Sequence, residues 1–450
     1  MSGAREHWGS RTGFILAAAG SAIGLGNIWK YPHMAGQHGG GAFTLVYLAC
    51  IALVGLPILL AEFSIGRRTQ LNPVGAFRSL AGTNAWKWVG FLGVASAFVI
   101  LSFYSVIGGW TIKYAVLALT GTFGDFTLGG DASRQVFEAF IANPLQPIFW
   151  HLLFMGTCVY IISRGVKGGI ERWSKILMPL LLGIILVLVI RGITLDGAME
   201  GIRFLFQPKW SDLDPGGVVL ALGHSFFTIS LGMGTMITYG SYLRRDTSLV
   251  RAGLAVVLLD TAIALLAGIV IFTAVFAMGQ DPAAGPSLIF IVLPTLFPQI
   301  PGGQVFAFLF FALFFMAALT SAISILEVVT AYFIDEKKWG RTRATLVFGG
   351  VIAVVGIFAS LSLGGTNVIA IFGDLSFFDL LDKASSKYML PIGGLLTAIF
   401  VLVRWGIPAF MDELGLGDSR LKLSPRLVSA IVMTATVLVG VVLLNEAFGF

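Results

Sequence analysis

Apolar runs of bilayer length recur along this chain, with short polar breaks between them. They cover residues 12–36, 41–66, 88–119, 146–163, 173–192, 216–242, 251–278, 303–334, 343–361, 371–403 and 426–447. A helix needs about 20 residues to cross the hydrocarbon core. Lipid offers no hydrogen-bond partners, so a crossing segment must satisfy its backbone internally, as a helix does. The pattern predicts an all-α polytopic membrane protein with eleven transmembrane helices. No soluble domain, low-complexity tract or long linker is left over, and 1–450 reads as one transmembrane domain.

Two of these runs are broken by glycines: Ser21-Ala22-Ile23-Gly24-Leu25-Gly26-Asn27 and Ser230-Leu231-Gly232-Met233-Gly234. Glycine in a membrane helix can simply permit close packing. Paired interruptions opening two halves of a chain instead point to a substrate and ion site in a secondary transporter, and the polar neighbours of both breaks favour that reading. The order of elements predicts a 5+5 inverted repeat. Repeat one covers about 12–192, repeat two about 216–403, and an extra helix 426–447, with helices 1 and 6 broken. Amides at the start of a half-helix attract an anion, and unwound carbonyls attract a cation. A cation-coupled transporter for a small polar-headed solute is the expectation.

Composition agrees: 57% of residues are hydrophobic and 12% charged, with mean hydropathy +0.90. The net charge of +6 needs no nucleic-acid partner. Of the 29 Lys and Arg residues, 21, from Arg5 and Arg11 to Arg420, Lys422 and Arg426, fall on the N-terminal side of the bilayer. The positive-inside rule then predicts a cytoplasmic N-terminus and an outside C-terminus in the cell's inner (plasma) membrane. Arg5 and Arg11 before Ala17-Ala18-Ala19 imitate a signal peptide, but cleavage there would discard half of the first broken helix. Cys50 and Cys158 fall inside spans, so no disulfide is expected. There is no Walker sequence and no His/Cys cluster, and no enzyme is expected.

Motifs sharpen the reading. Arg5-Glu6-His7-Trp8-Gly9-Ser10-Arg11, Gly24-Leu25-Gly26-Asn27-Ile28-Trp29-Lys30-Tyr31-Pro32 and Gly39-Gly40-Gly41-Ala42-Phe43 occur in order with Ser225-Phe226-Phe227-Thr228-Ile229-Ser230-Leu231-Gly232 and Ala318-Leu319-Thr320-Ser321. From residue 5 to about 400 the chain resembles the neurotransmitter:sodium symporter family, especially its bacterial multi-hydrophobic amino-acid transporters. The resemblance implies a leucine-transporter-like fold and sodium-driven alternating access.

It also implies the site. One sodium would take the Ala22 carbonyl, Asn27, Thr228 and Asp260, completed by the substrate carboxylate. A second would take carbonyls of Gly20, Ile23 and Ala317 with the hydroxyls of Thr320 and Ser321. The alternative for such hydroxyls is bonding back to the preceding helical turn. The substrate carboxylate would meet the amides of Leu25 and Gly26 and the Tyr104 hydroxyl. Its ammonium would meet carbonyls of Ala22, Phe227 and Thr228, with Ser230 nearby. Ile100, Phe227, Met233, Ser321 and Ile325 would enclose the side chain. Monoamine carriers of the family place Asp at the position of Gly24, so an amino-acid substrate is implied. The absence of pocket charge implies neutral hydrophobic side chains, aromatic ones included.

The same resemblance gives gates: Arg5 with Asp335 and Trp8 on the inner side, Lys30 with Asp382 on the outer. Asp379 competes as partner of Lys30, and Tyr104 with Phe227 would form an aromatic lid. Glu62 matches a structural acid, and His224 replaces a more usual Gln. Glu327 has no role the resemblance supplies. Gly169 and Pro179 have the spacing associated with unwinding of span 5. Asp260 stands where the leucine transporter has Asn, implying that chloride is not required, with proton antiport as a corollary. Two readings compete with the symporter: a sodium-independent exchanger, which should lack Thr320, Ser321 and Asp260, and a channel or scaffold without saturable uptake. The partners expected are an amino acid, sodium ions and the bilayer, with no nucleic acid and an open oligomeric state.

Overall fold

The computed structural model describes residues 5–126, 131–282, 288–363, 370–372, 375–417 and 424–448; Arg420 and Lys422 lie outside them. In chain order, α1 (Arg11–Ala22) and α2 (Gly26–Gln37) form one bent pair, and α3 (Gly41–Thr69) is the next long apolar helix. The connecting helix α4 (Pro73–Ala81) precedes the long α5 (Lys87–Leu119). Then come α6 (Ala132–Ala142), α7 (Gln146–Ser163), α8 (Val166–Ile193) and α9 (Ala198–Phe206). The second half opens with α10 (Pro215–Thr228) and α11 (Thr235–Gly240). It continues through α12 (Leu249–Ala277), α13 (Ile289–Gln299), α14 (Gly303–Lys337) and α15 (Arg341–Leu361). A ribbon of β1 (Ala370–Phe372) and β2 (Leu375–Ser376) leads into α16 (Phe377–Trp405), α17 (Ile407–Gly415) and α18 (Pro425–Phe448).

Among the described residues, nine continuous helices are long and apolar enough to cross a membrane, and the bent α1–α2 pair makes a tenth. The sixth predicted run is α10 and α11, parted by six non-helical residues, 229–234. The run read as 371–403 begins later, at Phe377, because residues 370–376 include the antiparallel β1–β2 ribbon, with Ala370 paired to Ser376. Five short helices, α4, α6, α9, α13 and α17, lie between the spans and were not read from the hydrophobic pattern, because none is long enough to give a bilayer-length run.

Both breaks have local causes. α1 ends where Ile23 turns extended (φ −74°, ψ 105°), and α2 leaves at 47° to it. At the second break Ser230, Gly232 and Gly234 all have positive φ. Glycine adopts that conformation freely. Ser230, at φ 55°, is held there by donating its hydroxyl to the Ser21 carbonyl at 2.9 Å. Glu62 of α3 accepts the freed Gly232 amide at 2.8 Å. Side chains at Gly66 and Gly240 would meet the backbones of Ile237 and Phe63, so glycine here sets how closely α3 and α11 approach.

α14 and α5 form the centre: 83% and 72% of their apolar windows are buried by protein, against 28% for α18 at the periphery. The two breaks face this central pair.

Candidate functional site

A small void lies between the breaks, lined by Ala22, Gly24, Leu25, Gly26, Ile100, Tyr104, Phe227, Ser230, Met233, Ser321 and Ile325. Every position expected to hold substrate is here except Thr228, whose hydroxyl donates to Asp260 instead, and Gly24 joins them. The walls divide by chemistry. Ile100, Met233 and Ile325 make an apolar end, and no charged side chain lines the void. At the polar end the Leu25 amide donates to Tyr104 Oη at 3.1 Å. A methyl at Gly24 would stand 2.6 Å from that same oxygen, so glycine is required here for space.

Beside the void, Asp260 of α12 is fully buried. Asn27 Nδ2 donates to its Oδ1 at 2.8 Å, and Thr228 Oγ1 donates at 3.1 Å. Asn27 Oδ1 accepts the Gly24 amide at 3.0 Å, tying this cluster to the first break. All of the carboxylate's hydrogen-bond partners among the described residues are neutral. A buried charge without a counter-charge is costly, and these hard oxygen donors suit an alkali cation.

The second expected cluster is arranged differently. Thr320 Oγ1 bonds back to the Met316 and Ala317 carbonyls, each at 3.1 Å. Ser321 reaches across to the carbonyl of Ser21 at 3.0 Å, the same oxygen that Ser230 uses. Ser21 thus joins α1, α14 and the second break, and its own hydroxyl meets Ser324 at 2.7 Å. The site reading had not included it. Gly20 packs against Thr320, where an added methyl would lie 3.2 Å from Cβ. Ile23 is buried in the same stretch of α1.

Two charged pairs, Lys30–Asp382 and Arg5–Asp335, flank this region. On one face Lys30 donates to Asp382 at 2.8 Å and to Ser386 at 3.3 Å. Its ammonium sits 4.0 Å from the centre of the Phe227 ring, a cation–π contact that holds Phe227 over the void. Asp379, the competing partner, instead accepts from Ser376 at 2.7 Å. Beyond lies a vestibule of about 340 Å3. His224 lines it, packs on Tyr47 at 5.3 Å, and has no hydrogen-bond partner on either nitrogen among the described residues. At the rim Asp214 caps α10, and the Gly217 amide, with His38, holds its carboxyl below the usual carboxylate range.

On the opposite face Arg5 pairs with Asp335 and donates to Ser241 at 2.5 Å. The guanidinium lies 4.7 Å from the Tyr242 ring centre. Trp8 is buried, with its indole N–H on the Tyr239 carbonyl at 3.0 Å. Behind them Glu327 has acquired partners: Tyr242 donates at 2.5 Å and Arg341 at 2.7 Å. Neither partner was legible, since Arg341 belongs to the next helix and Tyr242 to the other side of the break.

The profile of the Sodium:neurotransmitter symporter family matches residues 5–125 and 143–447. The chain belongs to that family. A sodium-dependent transporter of Bacillus subtilis (strain 168), YhdH, is 42% identical over 417 residues, covering 92% of this chain and 91% of that protein. One from Haemophilus influenzae is 37% identical, covering 88% and 89%. The crystal structure of MhsT in complex with L-phenylalanine is 46% identical with TM-score 0.90, covering 98% of this chain and 99% of that one. This symporter-family chain is thus a sodium-dependent, multi-pass membrane transporter with the leucine-transporter-like fold. Its two broken helices meet at a small void.

Proposed function

We propose that the protein carries neutral hydrophobic L-amino acids, aromatic ones included, together with sodium and without need of chloride. The observation that carries this reading is the void between the breaks. It offers amides, hydroxyls and an aromatic hydroxyl at one end, apolar side chains at the other, and no side-chain charge. A zwitterion's charged groups suit the helix ends, and its side chain suits Ile100, Met233 and Ile325, methionine adapting to different shapes. The L-phenylalanine held by the related MhsT supports the same class.

Asp260, Asn27, Thr228 and the Ala22 carbonyl hold one sodium, and the substrate carboxylate completes it. Gly20, Ile23, Ala317, Thr320 and Ser321 hold a second; the Thr320 hydroxyl donates its proton to its own helix turn and keeps its oxygen lone pairs for the ion. Arg5, Trp8 and Asp335 close the cytoplasmic side and Lys30 with Asp382 the outer side, in an orientation supported by the distribution of Lys and Arg. Lysine makes no bidentate fork with a carboxylate, so the outer lock is the weaker one.

The test is binding of labelled L-phenylalanine to the purified protein in sodium against potassium, with L-leucine and phenethylamine as competitors. Saturable binding in sodium, displaced by leucine, is expected. Equal displacement by phenethylamine, which lacks the carboxylate, would refute the proposal.

A further inference from the structure

The buried face of α17 is Phe410, Glu413 and Leu414, so an acid stands where helical spacing favours an apolar side chain. Its counter-charge comes from the last turn of α3. Arg67 Nε donates to Glu413 Oε1 at 2.6 Å, and its Nη2 donates to the Glu413 carbonyl. Nη1 donates to the Thr247 carbonyl, in the loop between α11 and α12, at 2.5 Å. The two side chains are 0% and 1% exposed, and Arg68 adds a second guanidinium 3.9 Å from Glu413 Oε2. Gly417, two residues past α17, packs on the same loop: at φ 79°, an added methyl would lie 2.7 Å from the Thr247 carbonyl carbon. One guanidinium therefore fastens α17 to both α3 and the α11–α12 loop. This is the face that carries Arg5, which bonds to Ser241 at the end of α11.

α16 connects this anchor to the opposite face. Its first turns hold Asp382 and Ser386, the partners of Lys30. Its middle lies against the second break, where methyl groups at Gly393 and Gly394 would collide with the Gly232 carbonyl and the Phe226 ring. Its last turn is held by Arg404, whose Nε donates to the Ala81 carbonyl of α4 at 2.8 Å. From Asp382 to Arg404 the helix runs about 33 Å at 1.5 Å per residue. One element thus touches the Lys30 pair, the second break and the Arg67 anchor.

We propose that Arg67 and Glu413 are positioning residues for the lock on the other face. Their pair fixes the far end of α16, and through that helix it sets where Asp382 stands for Lys30. Release of the anchor therefore loosens the Lys30–Asp382 lock, and α3, α16 and the second break shift as one unit. The anchor itself stands on these contacts. Its effect on amino-acid release rests on the substrate reading above.

The first measurement is amide hydrogen exchange of the full chain in lipid nanodiscs, without amino acid. The variant combines Arg67→Met with Glu413→Leu, which leaves no buried charge unpaired and so should keep the unfolding midpoint of the parent. Exchange of residues 377–389 should rise about tenfold, although the length of α16 separates them from the substitutions. Residues 146–163 of α7 should be unchanged. Acceleration confined to 407–415, or spread over the whole chain, would overturn the proposal. The second measurement is the rate at which labelled L-phenylalanine leaves in saturating sodium. The paired variant and Asp382→Asn should each speed release about fivefold or more, and their combination should be no faster than Asp382→Asn alone. Sites this far apart are otherwise additive, so additive effects would overturn the coupling. Should the paired variant not fold, Gly417→Ala, which pushes α17 off Thr247, must accelerate exchange of 377–389 in its place, and failure to do so overturns the proposal. A parent protein that binds no L-phenylalanine refutes the substrate reading, and the exchange measurement then decides on the anchor by itself.

Discussion

Arg341, the first residue of α15, donates from Nη1 to Glu327 Oε2 at 2.7 Å, and that glutamate side chain has no solvent exposure. The pair explains how α14 carries a carboxylate in an apolar surrounding. The same guanidinium donates from Nε to Glu6 at 3.0 Å, tying the pair to the N-terminal segment.

Removing one partner of a buried ion pair leaves an uncompensated charge, at a cost of about 3–5 kcal/mol. Arg341→Met should therefore lower the unfolding midpoint of the purified protein markedly. Adding Glu327→Leu should recover much of that loss, because no charge is then left buried. Tyr242→Phe should cost less, about 1–3 kcal/mol, the penalty for leaving one acceptor unsatisfied. Thermal unfolding of the four proteins in one detergent decides it; a double variant no better than Arg341→Met would contradict the pairing argument.

Gly24 is required for space. An added methyl meets Tyr104 Oη at 2.6 Å and Ser321 Cβ at 3.0 Å. Overpacking of this kind costs about 1–3 kcal/mol, so Gly24→Ala should weaken L-phenylalanine binding by about tenfold or more. Gly183→Ala on α8, where nothing lies within 4 Å of the added carbon, should leave it unchanged. Equilibrium binding in saturating sodium measures both, and equal affinity in the two variants would remove Gly24 from the site.

The hydroxyls of Thr320 and Ser321 should control sodium affinity. Each variant, Thr320→Ala or Ser321→Ala, should raise the sodium concentration needed for half-maximal binding several-fold, and the double variant more. Ser321 also bridges to the Ser21 carbonyl at 3.0 Å, so Ser321→Ala should lower thermal stability as well. A sodium titration unaltered in the double variant would leave these two residues as packing groups only.

How far the sequence reached depended on the range of the interaction. Bilayer-length apolar runs and two glycine breaks are local signals, and they place the spans and the void. The polar edges are long-range. Arg341 and Glu6 are 335 residues apart in sequence, and Glu171 meets Gly9 across 162, so no periodicity could pair them. Glu327 was visible as an intramembrane acid but had no visible partner. Ser21 escaped notice because its backbone carbonyl, common to every residue, does the work of accepting Ser230 and Ser321. The π-helical turn at Ile51–Gly55 carries no sequence mark distinct from α-helix, whereas the one at Gly26–Lys30 begins at the first glycine break and the one at Val166–Glu171 contains Gly169 of the Gly169–Pro179 spacing.

Under the proposed function, the sharpest test of Asp260 is whether transport needs chloride. The two sodium ions of that proposal would leave excess positive charge in a low-dielectric interior, where Coulomb terms are many times those in water. The Asp260 carboxylate, bonded to Asn27 and Thr228, would supply the balancing charge that a bound anion would otherwise provide. Uptake into proteoliposomes should therefore persist when gluconate replaces chloride at constant sodium. Asp260→Ser removes the charge while keeping a hydroxyl oxygen, so its activity should fall sharply in gluconate. Chloride should then restore part of it, since the small anion can occupy the space the carboxylate leaves. A large loss of uptake on chloride removal from the unsubstituted protein would refute the charge-balance argument, and an Asp260→Ser variant indifferent to both anions would assign the lost activity to packing.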